Sequence, residues 1–132
     1  MALNRLTADQ VARFRIDGFL VVEDLLSAEE VERLRRHSDL IAAGKAGHIP
    51  EDSTWFEEGH EAAAESDRER ERVLSIFKLF NLAVRDALMW RHATNVKIVE
   101  IIQDLLATQD IKMYGDQLFM KPPERGLSLI HI

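Results

Sequence analysis

A chain of 132 residues with 46% hydrophobic and 30% charged side chains has room for one domain with a modest core, and its composition is neither disordered nor fibrous. Its net charge of −6 is concentrated: residues 44–72 hold nine acidic side chains against four basic ones, and no basic face offers itself to nucleic-acid phosphates. Zero cysteines exclude disulfides and thiolate sites, while the absence of a bilayer-length apolar run or a signal-like start makes a cytoplasmic setting without a membrane partner the expectation.

Thr7-Ala8-Asp9-Gln10 has the form of a capping box, with Val11 and Phe14 at helical spacing behind it, and predicts a helix that Asp17-Gly18 stops. Phe19-Leu20-Val21-Val22 is a short β-prone run and predicts a brief strand. Ser27-Ala28-Glu29-Glu30 repeats the capping signature. Val31, Leu34, Ser38 and Ile41 (or Leu40) then mark one face of a second helix, with Arg33, Arg35 and Arg36 elsewhere and an end at Gly44. Residues 44–66 lose the period and read as a long acidic surface loop with one helical turn, in which Trp55 and Phe56 are an anchoring pair.

Periodicity returns at Val73, Ile76, Phe77, Phe80, Val84 and Leu88, predicting a helix through Trp90 with a break near Asn81, in which Phe80, Met89 and Trp90 are core. Thr94-Asn95 caps a further helix with Ile98, Ile101, Ile102 and Leu105 as its buried stripe. Ile111 to Lys121 reads as a strand. Alternation puts Ile111, Met113, Gly115, Gln117, Phe119 and Lys121 on one face, and Lys112, Tyr114, Asp116, Leu118 and Met120 on the other. Such a strand wants neighbours on both edges, and the run at Phe19 is the one other candidate.

The five histidines His37, His48, His60, His92 and His131 are read as scattered surface residues without an HxxxH, HExxH or HxD spacing. No GxSxG, P-loop or GxGxxG is present. Three stretches taken in order, LTADQVARFRIDGFLVVEDLLSAEEVERLR, FKLFNLAVRDALMWRHATNVKIVEIIQDLL and IKMYGDQLFMKPPERG, resemble the N-terminal portion of the phytanoyl-CoA dioxygenase family. The strongest matches are the DGFLVVEDLLS opening, the Lys-Leu-x-Asn step at Lys78 to Asn81, and the strand ending in Lys-Pro-Pro.

The resemblance implies an α+β fold: a helical cap with the first strands of a truncated double-stranded β-helix, or jelly-roll, mostly helical as it stands. It implies an oxidoreductase that uses Fe(II) and 2-oxoglutarate to hydroxylate a small-molecule substrate. In relatives, a strand-end HxD follows the Lys-Pro-Pro and supplies two of three iron ligands; no HxD follows it here, so no metal ligand or catalytic residue is assigned. Lys78 falls on the lysine that in relatives reaches 2-oxoglutarate, Gln117 on a position facing co-substrate or substrate, and Lys121 on a lysine that in some relatives contacts the co-substrate carboxylate. Independently, alternation sets Gln117 and Lys121 on one face about 13 Å apart. A buried dianion needs such a cation; the competing readings are a solvated Lys78 on a helix and an edge-protecting Lys121.

Residues 1–126 are thus expected to be the N-terminal portion of the oxygenase domain, with residues 44–66 as its variable loop. Residues 127–132 are expected to be a non-native tail, because LSLIHI can be written codon for codon as CTG TCT CTT ATA CAC ATC, which resembles a transposon end used in sequencing libraries. The chain alone is expected to be inactive and to bind neither Fe(II) nor 2-oxoglutarate tightly. The alternative is a stand-alone helical interaction module whose last strand pairs with a partner by β-augmentation.

Overall fold

A computed structural model describes residues 5–46, 49–57, 59–60 and 69–120. Helix α1 (Ala8–Asp17) and helix α2 (Ala28–Ala42) both start from complete capping boxes. The Gln10 N–H donates to Thr7 Oγ1 at 3.2 Å and the Thr7 N–H to Gln10 Oε1 at 2.9 Å; the Ser27–Glu30 pair repeats this at 3.1 and 2.7 Å. Gly18 ends α1 at φ 78°, a conformation open to glycine because it has no Cβ. Gly44 follows α2 at φ 72°, and a Cβ there would lie 3.2 Å from Arg72 Nε.

After α2 come a 3₁₀ turn (Glu51–Ser53) and strand β1 (Thr54–Phe56), then helix α3 (Glu69–Ser75) running directly into strand β2 (Ile76–Phe80). Helices α4 (Ala87–Ala93) and α5 (Val96–Leu106) precede strand β3 (Gln117–Phe119). The strands form one antiparallel sheet in the order β1-β2-β3. The fold is α+β, as expected, with a small sheet and more helix than strand.

Three sequence expectations are corrected here. The helix predicted from Val73 to Trp90 is a short helix, a strand, a turn and another short helix. Val73, Ile76, Phe77 and Phe80 satisfy the helical i, i+3, i+4, i+7 pattern, but Ile76 to Phe80 is also a short segment of four apolar residues around Lys78 that either structure accepts. Pairing with β1 on one side and β3 on the other decides it. Asn81, at φ 54°, ends the strand, so the expected break is real and separates a strand from a turn.

The strand predicted at Phe19–Val22 does not form, although its side chains alternate between inside and outside. Leu20 and Val22 pack inward against Leu6, Val11 and Ile101, while Phe19 and Val21 are 66% and 70% exposed. Among the described residues no strand pairs with this segment, and it has no regular secondary structure. The loop expected at residues 44–66 does contain the predicted turn, and it also carries β1. Residues 61–66 of that loop lie outside the described residues. The long strand expected from Ile111 to Lys121 narrows to Gln117–Phe119 among the described residues, with no regular secondary structure at residues 111–116.

Two clusters make the core. Ile41 and Ala42 of α2 meet Ile76, Leu79 and Leu82, with Met89, Leu118 and Met120 packed around them. Of the two candidates for the last inward position of α2, Ile41 is buried and Leu40 is exposed, as is Val31. The second cluster joins Val11 of α1 to Ile101 and Leu105 of α5; Ile102 points partly outward. His37 Nε2 lies 2.7 Å from Asp86 Oδ2, tying α2 to the N-cap of α4, where Asp86 Oδ1 accepts the Leu88 and Met89 N–H groups.

Two carboxylates on α2 make its stability pH-dependent. Glu30 is held down from 4.5 to about 2, chiefly by the Ser27 backbone N–H and then by Lys97. Glu32 is held down from 4.5 to about 2 by Arg35 and then Arg36. Both bind fewer protons folded than unfolded, so stability rises with pH through this window and is lost as pH falls through it. Circular dichroism should show Tm falling as pH drops from 4.5 toward 2, with a shallower fall in Glu30→Gln, which keeps the capping geometry without the charge. An identical slope in that variant would remove Glu30 from the explanation.

Candidate functional site

The sheet register gives its two faces different chemistry. Thr54 pairs with Leu79 and Leu79 with Leu118; this row faces the core, where Leu79 is fully buried. The adjacent row is Trp55, Lys78 and Phe119, and Phe80 pairs with Gln117 beside it. Cross-strand partners share a face, so these five side chains stand together on the side away from α2. The register shift between Trp55 and Phe56 inserts one extra β2 residue. This bulge lets Ile76 and Leu79, three positions apart, both reach the core.

On that open face Lys78 Nζ lies 3.9 Å from the Trp55 ring centroid and 5.8 Å from that of Phe80. It approaches Gln117 Oε1 at 3.5 Å. Phe77 meets Phe119 edge-to-face, with centroids 5.6 Å apart. The ammonium is thus held over aromatic faces, and its stem covers apolar surface. Trp55 at 52% exposure and Phe119 at 40% leave a concentration of aromatic surface around one cation and one amide. That set suits the carboxylate end of a small organic acid, for which the ammonium supplies charge and the amide supplies N–H.

Asp116 fixes the position of β3. Its Oδ2 accepts the Leu82 N–H at 2.9 Å and its Oδ1 the Ala83 N–H at 3.0 Å, while its carbonyl accepts the Asn81 N–H at 3.0 Å. The turn after β2 is therefore clamped to the residue that precedes Gln117. A Cβ on Gly115 would approach Asn81 Oδ1 at 3.3 Å, so glycine suits this close crossing.

Of the sequence-derived site residues, Lys78 and Gln117 are brought together, on neighbouring strands rather than on a helix and a strand. Lys121 lies outside the described residues, as do His48 and His131. Trp55 and Phe80 belong beside Lys78, which their reading as a loop anchor and a core residue did not place. Trp90 is half exposed rather than core, while Met89 does pack on the core.

Among the described residues no group of three His, Asp or Glu side chains stands close enough to hold a metal ion, so they do not fit an iron centre. The reading that the histidines form no HxD spacing is corrected by one triplet, His37-Ser38-Asp39, which falls inside α2. Residues two apart on a helix diverge by about 200°. Here His37 faces Asp86 and Asp39 accepts from Arg35, so the triplet is not a ligand pair.

Residues 14–131 match the family model described as Phytanoyl-CoA dioxygenase (PhyH). No curated protein and no solved structure matches the chain.

Proposed function

The chain belongs to the phytanoyl-CoA dioxygenase family, and on that premise we propose that the open face of its sheet is one wall of a 2-oxoglutarate pocket. The family implies an iron- and 2-oxoglutarate-dependent dioxygenase acting on small molecules in the intact protein. When bound, those groups supply the oxidising chemistry that hydroxylates a C–H bond.

The observation that carries the reading is the convergence of Lys78 and Gln117 at 3.5 Å on a face with half-exposed aromatics. Lys78 binds the distal carboxylate and Gln117 orients it. Trp55 and Phe80 hold the ammonium in place and exclude water from its flank, which strengthens its attraction for an anion. Lys121 is proposed as a second cation on the same strand face. The sheet itself is proposed as the start of a double-stranded β-helix, a reading supported by its antiparallel order and by the packing of α2 and α4 side chains on its Leu79 face. A cytoplasmic setting is part of the same proposal, supported by the absence of cysteine. No helix among the described residues is long and apolar enough to cross a membrane.

The test follows from the iron ligands. The 132-residue chain mixed with Fe(II), 2-oxoglutarate and oxygen is expected to give no succinate above background. The reading frame extended downstream is expected to give it. Succinate from the 132 residues alone would overturn the placement of the iron ligands elsewhere, and none from an extended frame that carries an HxD would overturn the dioxygenase reading.

A further inference from the structure

A cavity of about 240 Å³ opens between α2 and α4, on a part of the molecule to which no sheet residue contributes. Its apolar lining comes from Leu26, Leu34 and Leu88, and its polar groups include Arg33 from α2 and Arg91 and His92 from the last turn of α4. Neither arginine meets a carboxylate among the described residues, although α2 pairs Arg35 and Arg36 with Glu32. The one acidic residue in the lining, Glu30, is already engaged. It accepts the Ser27 N–H at 2.7 Å and the Lys97 ammonium at 3.2 Å. The cavity therefore brings two uncommitted guanidinium groups and an imidazole into one lining with three leucines.

We propose that this cavity binds a small carboxylate carrying a short apolar chain, its oxygens held by Arg33 and Arg91 and its chain laid on Leu34 and Leu88. Guanidinium is the cation best matched to a carboxylate, because its fork donates two parallel hydrogen bonds and it is weakly hydrated. The volume lies just below the range of drug-sized pockets, which sets the ligand at a few carbons rather than a nucleotide. Cationic and leucine side chains from α2 and α4 that line one concave volume are the pattern of a ligand site. The site is separate from the Lys78 face, so it adds a second ligand to the protein and does not depend on the co-substrate reading.

Titration of the ¹⁵N-labelled 132-residue chain with hexanoate, followed by amide shifts, is expected to perturb residues around Leu34 and Leu88 with a dissociation constant of about 1 mM. Arg33→Gln combined with Arg91→Gln should weaken binding at least about tenfold. Both side chains are exposed and unpaired, so the double variant is expected to keep its amide spectrum. Arg35→Gln, which removes a charge from α2 outside the cavity lining, should leave affinity unchanged. Inorganic phosphate binding as tightly as hexanoate would overturn the apolar part of the proposal. Unaltered affinity in the double variant, or equal loss in Arg35→Gln, would overturn the whole of it.

Discussion

Asp104→Ala is expected to destabilise the chain by about 3 kcal/mol, lowering Tm by roughly 10 °C. Asp104 is 1% exposed, and its Oδ2 accepts the Arg5 and Leu6 N–H groups, each at 2.8 Å. The carboxylate thereby holds the start of the chain to α5 across 98 residues of sequence and seats Leu6 in the cluster with Val11 and Ile101. Alanine removes two charge-assisted hydrogen bonds and leaves a buried N–H with no acceptor, each a cost of about 1–3 kcal/mol. Asp104→Asn keeps an acceptor without the charge and should lose about half as much. The contrast is Glu100→Gln, one turn earlier, where the salt bridge to Arg5 at 2.7 Å is partly exposed and is worth about 0–1 kcal/mol. Urea unfolding of the three variants checks the order, and an Asp104→Ala midpoint no lower than that of Glu100→Gln would refute it.

The parts of this fold that could be read from the sequence are those written in local chemistry. Both capping boxes, the stop at Gly18 and the Asn95 cap each depend on residues within one or two turns of each other, and each forms as expected; the buried stripe of α5 holds at Ile101 but Ile102 is exposed and Asp104 is buried instead. The sheet depends on partners far apart: Lys78 meets Gln117 across 39 positions, and nothing near Ile76–Phe80 announces that pairing. The same apolar positions served a helix pattern equally well. β1 was harder still, because three residues in an acidic loop carry almost no periodicity. At the site, resemblance picked out Lys78 and Gln117 without any knowledge of the sheet, whereas Trp55 and Phe80 became visible only through the register. An aromatic beside a threonine in a loop has no signal of its own; its meaning comes from the lysine opposite.

That lysine gives the second large effect. On the proposed function, Lys78→Met in a 2-oxoglutarate-binding form of the protein is expected to weaken 2-oxoglutarate binding about 30- to 100-fold, or about 2–3 kcal/mol, the scale of a charge-assisted contact to a carboxylate. Methionine is the informative replacement because it retains an apolar stem for the Trp55 and Phe80 rings, which lie 3.9 and 5.8 Å from Nζ, so packing is largely preserved while the charge is lost. Gln117→Ala, removing one neutral hydrogen bond, should cost about 1 kcal/mol. A contact to the distal carboxylate is made equally in the ground state and the transition state, so KM for 2-oxoglutarate should rise while kcat holds nearly constant. Isothermal titration with 2-oxoglutarate reads the affinity without turnover, and Tm reads any structural loss separately. If Lys78→Met binds 2-oxoglutarate as the parent does, Lys78 is a packing residue on an open sheet face; if kcat falls in step with kcat/KM, its contact is with the reacting atoms rather than with the far end of the co-substrate.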